Sequence, residues 1–543
     1  MTTQLPENLK GVHIHFVGIK GTGMAALVEI LFHAGAVITG SDVSERFYTD
    51  EILEKLGLKA LPFAESNITD EIEYVVYSSA YKLDKNPDLI AACKKNIPCL
   101  LYTQALGSYS ERSYSCGICG VHGKTSTTGL TGTILKELDL PVQVLAGSVI
   151  NSFGGTCTYT SPLVKKSGVN SNSAGSSCFD AAQGSSAPSG ANDAGADKAG
   201  TFSNKNIFVA ETCEYQRHFM SFCPQKIILT SVESDHQDYY PTYEDIRDAF
   251  VDYICKLPQG GQLIYCADDK GAVETANIAS KKRSDIKLIP YGQKAEGDYK
   301  LTFGKVENEK NNFELELFKS AASCCCGSVK NSGTLAISVP GKHEVMDAAA
   351  ATALCCELLR DAGLAPIDNY ERISQGLLNF TGGKRRSEIV GRFKTQSGND
   401  VVVIDDYGHH PTAVKTTLEG FREFYKGRKI IVDFMSHTYS RTQALLKEFA
   451  SCFTSADEVI LHKIYSSARE NPKDFTITGR TLYDEVIKSG FDSQKVHYFE
   501  EIFDAKDFVL RLLDESLSPE YPDGYLFVTM GAGDNWKLGK ALV

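Results

Sequence analysis

At 543 residues, with 42% hydrophobic and 23% charged side chains, the chain has a soluble globular composition and is too long for one core, so two to four domains are expected. The net charge of −12 excludes a sequence-independent grip on nucleic acid, which needs a basic face. No apolar run reaches the roughly 18–20 residues that cross a bilayer, and the first ten residues lack a basic-then-apolar leader, so a cytoplasmic protein that does not enter membranes is expected. The 16 cysteines are scattered through long periodic segments and are read as reduced thiols.

Strand and helix alternate from the start. Residues 11–18 carry Val12, Ile14, Phe16 and Val17 in a strand pattern, glycines follow, and 24–32 has helical spacing. A second strand over 36–39 runs into Gly40-Ser41-Asp42, and 73–77 and 87–95 read as a strand and a helix. Such alternation predicts a parallel sheet with helices on its faces. The turn at 18–24, which contains Gly21, Thr22, Gly23 and Met24, joins a strand to a helix, with Ser41 and Asp42 after the next strand. That is the layout of a pyrophosphate cradle, although the full G-x-G-x-x-G pattern is absent and a plain tight turn is the other reading.

A second α/β region begins near residue 115. A strand over 115–119 leads into Gly120, Val121, His122, Gly123, Lys124 and Thr125, and a helix over 125–138 follows, with Ser126 in its first turn. A glycine-rich turn between a buried strand and a helix aims backbone N–H groups at an anion, and the helix N-terminus adds partial positive charge. Lys124 would reach the terminal phosphates of ATP, and Thr125 would offer its hydroxyl to a magnesium ion, or to manganese in its place. The strict eight-residue phosphate-loop pattern fails because Ile118 stands where its first glycine belongs, so the flanking strand and helix carry the reading. Cys116 and Cys119 match a redox spacing but fit buried strand positions better.

Residues 161–204 are rich in Ser, Gly, Ala and Asn and cannot bury enough surface to offset their ordering entropy, so a disordered insertion is expected there. Strands over 206–211 and 226–232 follow; Glu211 ends the first and His236 lies just beyond the second, where α/β sheets present ligand-binding groups. Both are candidate metal-linked residues. Thr242 caps a helix over 242–257, with Asp245 three positions on. A smaller insertion is expected over 321–333, with Cys324, Cys325 and Cys326 in a loop.

A third α/β region starts near 380. Strands are expected over 401–404, 429–434, 459–462 and 526–529, and helices over 412–425 and 442–453. Lys384-Arg385-Arg386 sits at the domain junction, where ligands often bind. Two polar loops follow strands, one carrying Asp405, Asp406, Tyr407, His409 and His410, the other Ser436, His437, Thr438, Tyr439 and Arg441. Three domains result: 1–114, 115–379 and 380–543.

These motifs, in this order, resemble the Mur ligases of bacterial cell-wall synthesis over nearly the whole chain outside the two insertions. The resemblance rests on 18–24 with Gly40-Ser41-Asp42, on 120–125, 209–219, Asp235-His236, 405–411 and 437–441, and on Gly531-Ala-Gly-Asp534. It implies a Rossmann-like N-terminal domain for a UDP-sugar, a central P-loop-type ATPase and a Rossmann-like C-terminal domain for an amino acid. The implied reaction joins L-alanine to the lactyl carboxylate of UDP-N-acetylmuramate through an acyl phosphate made from ATP, by a monomer or a homodimer. By the same resemblance Lys124 and Thr125 contact phosphate and metal, Glu211 and His236 are metal-linked, and Arg386 and Asp406 contact nucleotide. Gly21, Thr22, Gly23, Met24, Ser41 and Asp42 would hold the UDP-sugar, and Tyr407, His409, His437 and Arg441 the amino acid. Many members carry a carbamylated lysine where Phe250 stands here, and its absence favours the alanine-adding subgroup.

One departure is local. The family pattern G-x-H-N-x-x-N, whose asparagines lie near the adenine, is replaced by Gly341-Lys-His-Glu344-Val-Met-Asp347. Ionised carboxylates accept hydrogen bonds but cannot donate them, so an altered nucleotide preference or weaker ATP binding is implied. The rival readings are a recycling ligase that adds a ready-made tripeptide to the same sugar nucleotide, a Rossmann oxidoreductase fused to a phosphate-loop module, and a catalytically silent nucleotide-binding protein.

Overall fold

Strands whose side chains are apolar on both faces can only sit at the middle of a sheet covered on both sides. Val401, Val402, Val403 and Ile404 are all fully buried, as are Ile207, Phe208, Val209 and Ala210. In the computed structural model, which describes residues 4–164, 205–236, 239–322, 333–466 and 470–543, these runs form the centres of successive sheets. The expected insertions therefore lie mostly outside the described residues, and Cys324, Cys325 and Cys326 lie wholly outside them.

The first sheet has the strand order Val37–Ser41, His13–Val17, Tyr74–Tyr77, Cys99–Leu101, all parallel. The second has seven strands and is parallel except at one edge, where Thr156–Thr160 runs antiparallel to Val142–Ile150. At its centre Tyr114–Cys119 lies between Lys226–Leu229 and Ile207–Glu211. The third has six strands, with Asp400–Asp406, Gly524–Met530 and Arg428–Phe434 in the middle and Glu388–Lys394 as an antiparallel edge. The α/β class and the three parallel sheets are as expected from the chain-order pattern.

The structure differs in places. A three-stranded antiparallel sheet, Leu301–Glu307, Lys310–Leu315 and Thr334–Ile337, joins the middle region. The strand expected over 226–232 stops at Leu229, because the next residues bond to the phosphate loop instead: Thr230 Oγ1 donates to His122 O, and Val121 N donates to Ser231 O at 3.0 Å. The single helix expected over 442–453 is two short ones, Tyr439–Ala444 and Leu446–Ala450, broken at Leu445. The Thr242 cap is present: its hydroxyl accepts from Asp245 N, and the Asp245 carboxylate accepts from Thr242 N. Such a reciprocal cap contributes about 0.5–2 kcal/mol. Cys116 and Cys119 are fully buried free thiols in their strand. Among the described residues no helix is long and apolar enough to cross a membrane.

Candidate functional site

The phosphate loop is shaped by two glycines that no other residue could replace. Gly120 has φ +138° and Gly123 has φ +79°. A Cβ at the first would lie 2.0 Å from Thr230 Oγ1, and at the second 2.4 Å from Asp347 Oδ1. Gly123 is the N-cap of the helix Lys124–Glu137, so the unpaired N–H groups of the first turn open at the loop. His122 N donates to Ser231 Oγ at 2.9 Å, which ties the loop to the strand beside it.

Lys124 Nζ donates to Gly120 O at 2.6 Å and to Glu214 Oε1 at 3.1 Å. Burial opposes its charge, but Glu214 and, behind it, Glu211 outweigh that and hold the ammonium above its usual pKa. Glu214 is itself buried; desolvation alone would raise its carboxyl, yet Lys124 and a hydrogen bond from His236 bring it below the usual carboxylate range. His236 Nε2 lies 3.3 Å from Glu214 Oε1, and that bond raises the imidazole above its ordinary pKa. The ring rests 4.9 Å from that of Tyr215.

Glu214, not Glu211, is thus the carboxylate that joins Lys124 to His236. Glu211 does end its strand, as expected, but its carboxylate accepts the N–H of Gly147 at 2.7 Å. The two glutamates lie three positions apart in one motif, and only the turn after the strand decides which of them faces the loop. The Tyr240 hydroxyl donates to Glu214 O at 2.6 Å and fixes that turn.

Beneath the loop lie Glu344 and Asp347, both buried, on the first turns of the helix Lys342–Asp361. Ser126 Oγ donates to Glu344 Oε1 at 2.9 Å, while Glu344 Oε2 is buried with no hydrogen-bond partner among the described residues. Burial pushes both carboxyls above their ordinary range, and Glu344 pushes Asp347 further, against the opposing pull of Arg386 and, at Glu344, of His343. A carboxyl raised in the folded state binds its proton more tightly there than in the unfolded chain. Its contribution is therefore present at low pH and lost as pH rises from the ordinary carboxylate range through the folded pKa. Stability should fall by up to about 1.4 kcal/mol per pH unit for each such proton. The double variant Glu344→Gln, Asp347→Asn should flatten that slope in denaturant melts between about pH 5 and pH 9; an unchanged slope would mean the pair is not the source.

The third-domain residues gather at the ends of its strands. Asp406 is buried, and its carboxylate accepts from Ser387 N and Gly408 N, each at 2.8 Å, so it shapes the backbone around Arg386. Arg385 pairs with Asp405 at 2.7 Å, whereas Arg386 lies 5.7 Å from the Tyr407 ring centre and acts on Glu344 and Asp347. Lys384 reaches the other way, 5.2 Å over the ring of Tyr48 in the N-terminal domain. Burial, then Arg441, pushes His409 down to about 4, and the same two causes lower His437. Arg441 donates to His437 O at 3.0 Å, so two neutral imidazoles and one guanidinium share a small basic corner.

In the N-terminal domain the turn at 21–24 lines a cavity of about 200 Å³ together with Ser78, Ser79, Tyr102 and His218. Thr22 Oγ1 is hydrogen-bonded to the Tyr48 hydroxyl at 2.5 Å. Asp42 does not line this cavity; its oxygens accept from Lys20 N and Val43 N, each at 2.7 Å, and from the Tyr81 hydroxyl at 3.2 Å. Ser41 is buried in its strand, and its carbonyl accepts from Gly18 N and Ile19 N. These two residues hold the turn in shape.

Residues 13–114 match the Mur ligase family, catalytic domain; 118–355 match the Mur ligase middle domain; and 386–533 match the Mur ligase, glutamate ligase domain. The UDP-N-acetylmuramate–L-alanine ligase of Treponema pallidum is 41% identical over 99% of this chain and 97% of its own. The enzyme of the same name from Desulfitobacterium hafniense is 33% identical over 98% and 99%. In fold the chain is similar to the UDP-N-acetylmuramate–alanine ligase of Thermotoga maritima, with a TM-score of 0.67 at 21% identity over 97% of each chain. It is also similar to a murein peptide ligase of Psychrobacter arcticus, with a TM-score of 0.56 at 18% identity over 98% and 100%.

Proposed function

The chain belongs to the Mur ligase family, and on that premise we propose that it joins L-alanine to the lactyl carboxylate of UDP-N-acetylmuramate at the expense of ATP. The observation that carries the reading is the position of Lys124 and Glu214. Lys124 pairs with Glu214, and Glu214 begins the turn Tyr215–Ser221, whose His218 lines the cavity formed with the N-terminal turn and Tyr102. The corner formed by His409, His437 and Arg441 lies on the third domain, where the amino acid would enter.

A carboxylate is a poor electrophile, so the first step moves the γ-phosphoryl group of ATP onto a lactyl oxygen and releases ADP. The backbone N–H groups of the loop and Lys124 offset charge on the transferring group. The amine then attacks the acyl phosphate carbonyl, the C–O bond to phosphate breaks, and inorganic phosphate leaves with the amide formed. The cationic Arg441 suits the carboxylate of alanine. A neutral His437 or His409 can accept a proton from the attacking amine.

Among the described residues no cluster of three His, Cys, Asp or Glu side chains stands ready for a metal, so a magnesium ion would come with the oxygens of ATP and take few ligands from the protein. Thr125 offers a hydroxyl at the helix start, and Glu214 offers a buried carboxylate that pairs with Lys124 at 3.0 Å. Thr125 and Glu214 would hold the ion, with His236 orienting Glu214, and Glu211 stands one step back. When bound, the metal neutralises phosphate charge.

The test is substrate dependence. Phosphate release from ATP should require UDP-N-acetylmuramate and L-alanine together. Release with a tripeptide but not alanine would assign the chain to the recycling reaction, and no release with any UDP-muramyl substrate would sink the ligase reading.

A further inference from the structure

The segment Tyr215–Ser221 belongs to the middle domain, yet its His218 lines the cavity that the N-terminal domain forms with its 21–24 turn, Ser78, Ser79 and Tyr102. Two consecutive residues before it, Gln216 and Arg217, take left-handed backbone angles of +50° and +58° in φ. Such angles are uncommon for residues with a Cβ and need surroundings that impose them. Here the surroundings do so. Arg217 pairs with Asp252 at 2.6 Å, and Phe219 stacks on Tyr253 with ring centres 4.5 Å apart. On the other side Cys223 N donates to Ser110 Oγ at 3.0 Å, and Gly107 passes so close to Ser221 O that a Cβ would lie 2.2 Å from it. His218 is therefore held in place from both domains.

The consequence is a turn with two ends. Glu214, at one end, pairs with Lys124 of the phosphate loop, and His218, four residues on, borders the cavity. A sugar nucleotide whose diphosphate lies at the N-terminus of the helix Thr22–His33 would bring its sugar to His218, because both line the same cavity. An anion against His218 would be repelled by Glu214, and an uncharged sugar oxygen much less so. The ring nitrogens of His218 make no hydrogen bond among the described residues, and burial lowers its pKa, which leaves one N–H free to donate at neutral pH.

We propose that His218 is a specificity-determining residue that donates a hydrogen bond to a hydroxyl or acetamido oxygen of the N-acetylmuramyl ring. The inference rests on the ligase reading above and extends it to a contact that crosses between two domains. It explains why the strained turn carries an imidazole at that point: the residue that reads the sugar is rigidly linked to the residue that holds the ATP-facing lysine.

The test uses the full chain and two ligands, UDP-N-acetylmuramate and UDP, titrated by calorimetry. His218→Ala should bind UDP-N-acetylmuramate about tenfold more weakly and UDP unchanged. His218→Gln, which keeps a side-chain N–H, should recover most of the loss, and KM for ATP should stay at the wild-type value in both variants. Equal affinities for UDP-N-acetylmuramate in the wild type and His218→Ala would overturn the proposal. So would a parallel loss for UDP, which would move His218 to the diphosphate. Failure of the wild type itself to bind UDP-N-acetylmuramate would instead overturn the ligase reading, and is told apart by that control.

Discussion

Lys124→Ala should lower kcat/KM by about 10³-fold or more, measured as phosphate release with all three substrates present. The side chain is 15% exposed and its ammonium lies among Gly120 O, Val121 O and Glu214, at the mouth of the phosphate loop. Raised above its usual pKa, it stays charged throughout the working range, and the effect should not vary with pH between about 6 and 9. The variant also leaves Glu214, 3% exposed, without its cation. Removing one member of a buried pair costs about 3–5 kcal/mol, so a melt must accompany the assay. Lys124→Ala combined with Glu214→Gln should regain stability without regaining rate. A single variant that folds and keeps turnover within a few-fold of wild type would remove Lys124 from the phosphoryl-transfer step.

The phosphate loop was legible in the sequence because its determinants are local: a buried run, two glycines, a lysine and a helix start. The same holds for the central strands of the three sheets, where continuous apolar runs announce burial on both faces. The small sheet over 301–337 was not. Its strands are short, polar residues interrupt their apolar positions, and the pairing of the first two shifts register between Phe303 and Val306. The choice between Glu211 and Glu214 was equally hidden. Both are glutamates of one motif at the end of one strand, and periodicity places Glu211 at the strand end, where sheets present ligands. The left-handed angles at Gln216 and Arg217 have no signature in residue type, since neither is glycine or asparagine. They turn the chain between Glu214 and His218. The carboxylates at 344 and 347 were legible as a departure, but their place beneath the loop at Gly123 and Ser126 came only from tertiary packing.

The two glutamates give the second large effect, and comparing them separates position in sequence from position in space. Glu214→Gln removes the charge that Lys124 and His236 share while keeping the shape of the side chain. Turnover should fall about 10²–10³-fold, and the magnesium concentration needed for half-maximal rate should rise. The imidazole of His236, raised chiefly by its bond to Glu214, should fall back toward its ordinary value in an NMR titration. A histidine raised in the folded state stabilises below its unfolded pKa, and that stabilisation is lost as pH rises through the folded value. The share of the wild-type stability slope due to His236 should therefore shrink in Glu214→Gln, leaving only what Asp235 contributes. Glu211→Gln should do much less. Its amide oxygen can still accept the N–H of Gly147, and the only loss is a more distant charge that helps hold Lys124 protonated. A few-fold reduction in rate, with the His236 titration unchanged, is the expected result. The reverse order, with Glu211→Gln inactive and Glu214→Gln nearly normal, would return the metal-facing role to Glu211. The turn that carries His218 would then have to move when substrates bind, because in the structure it is Glu214 that already stands against Lys124.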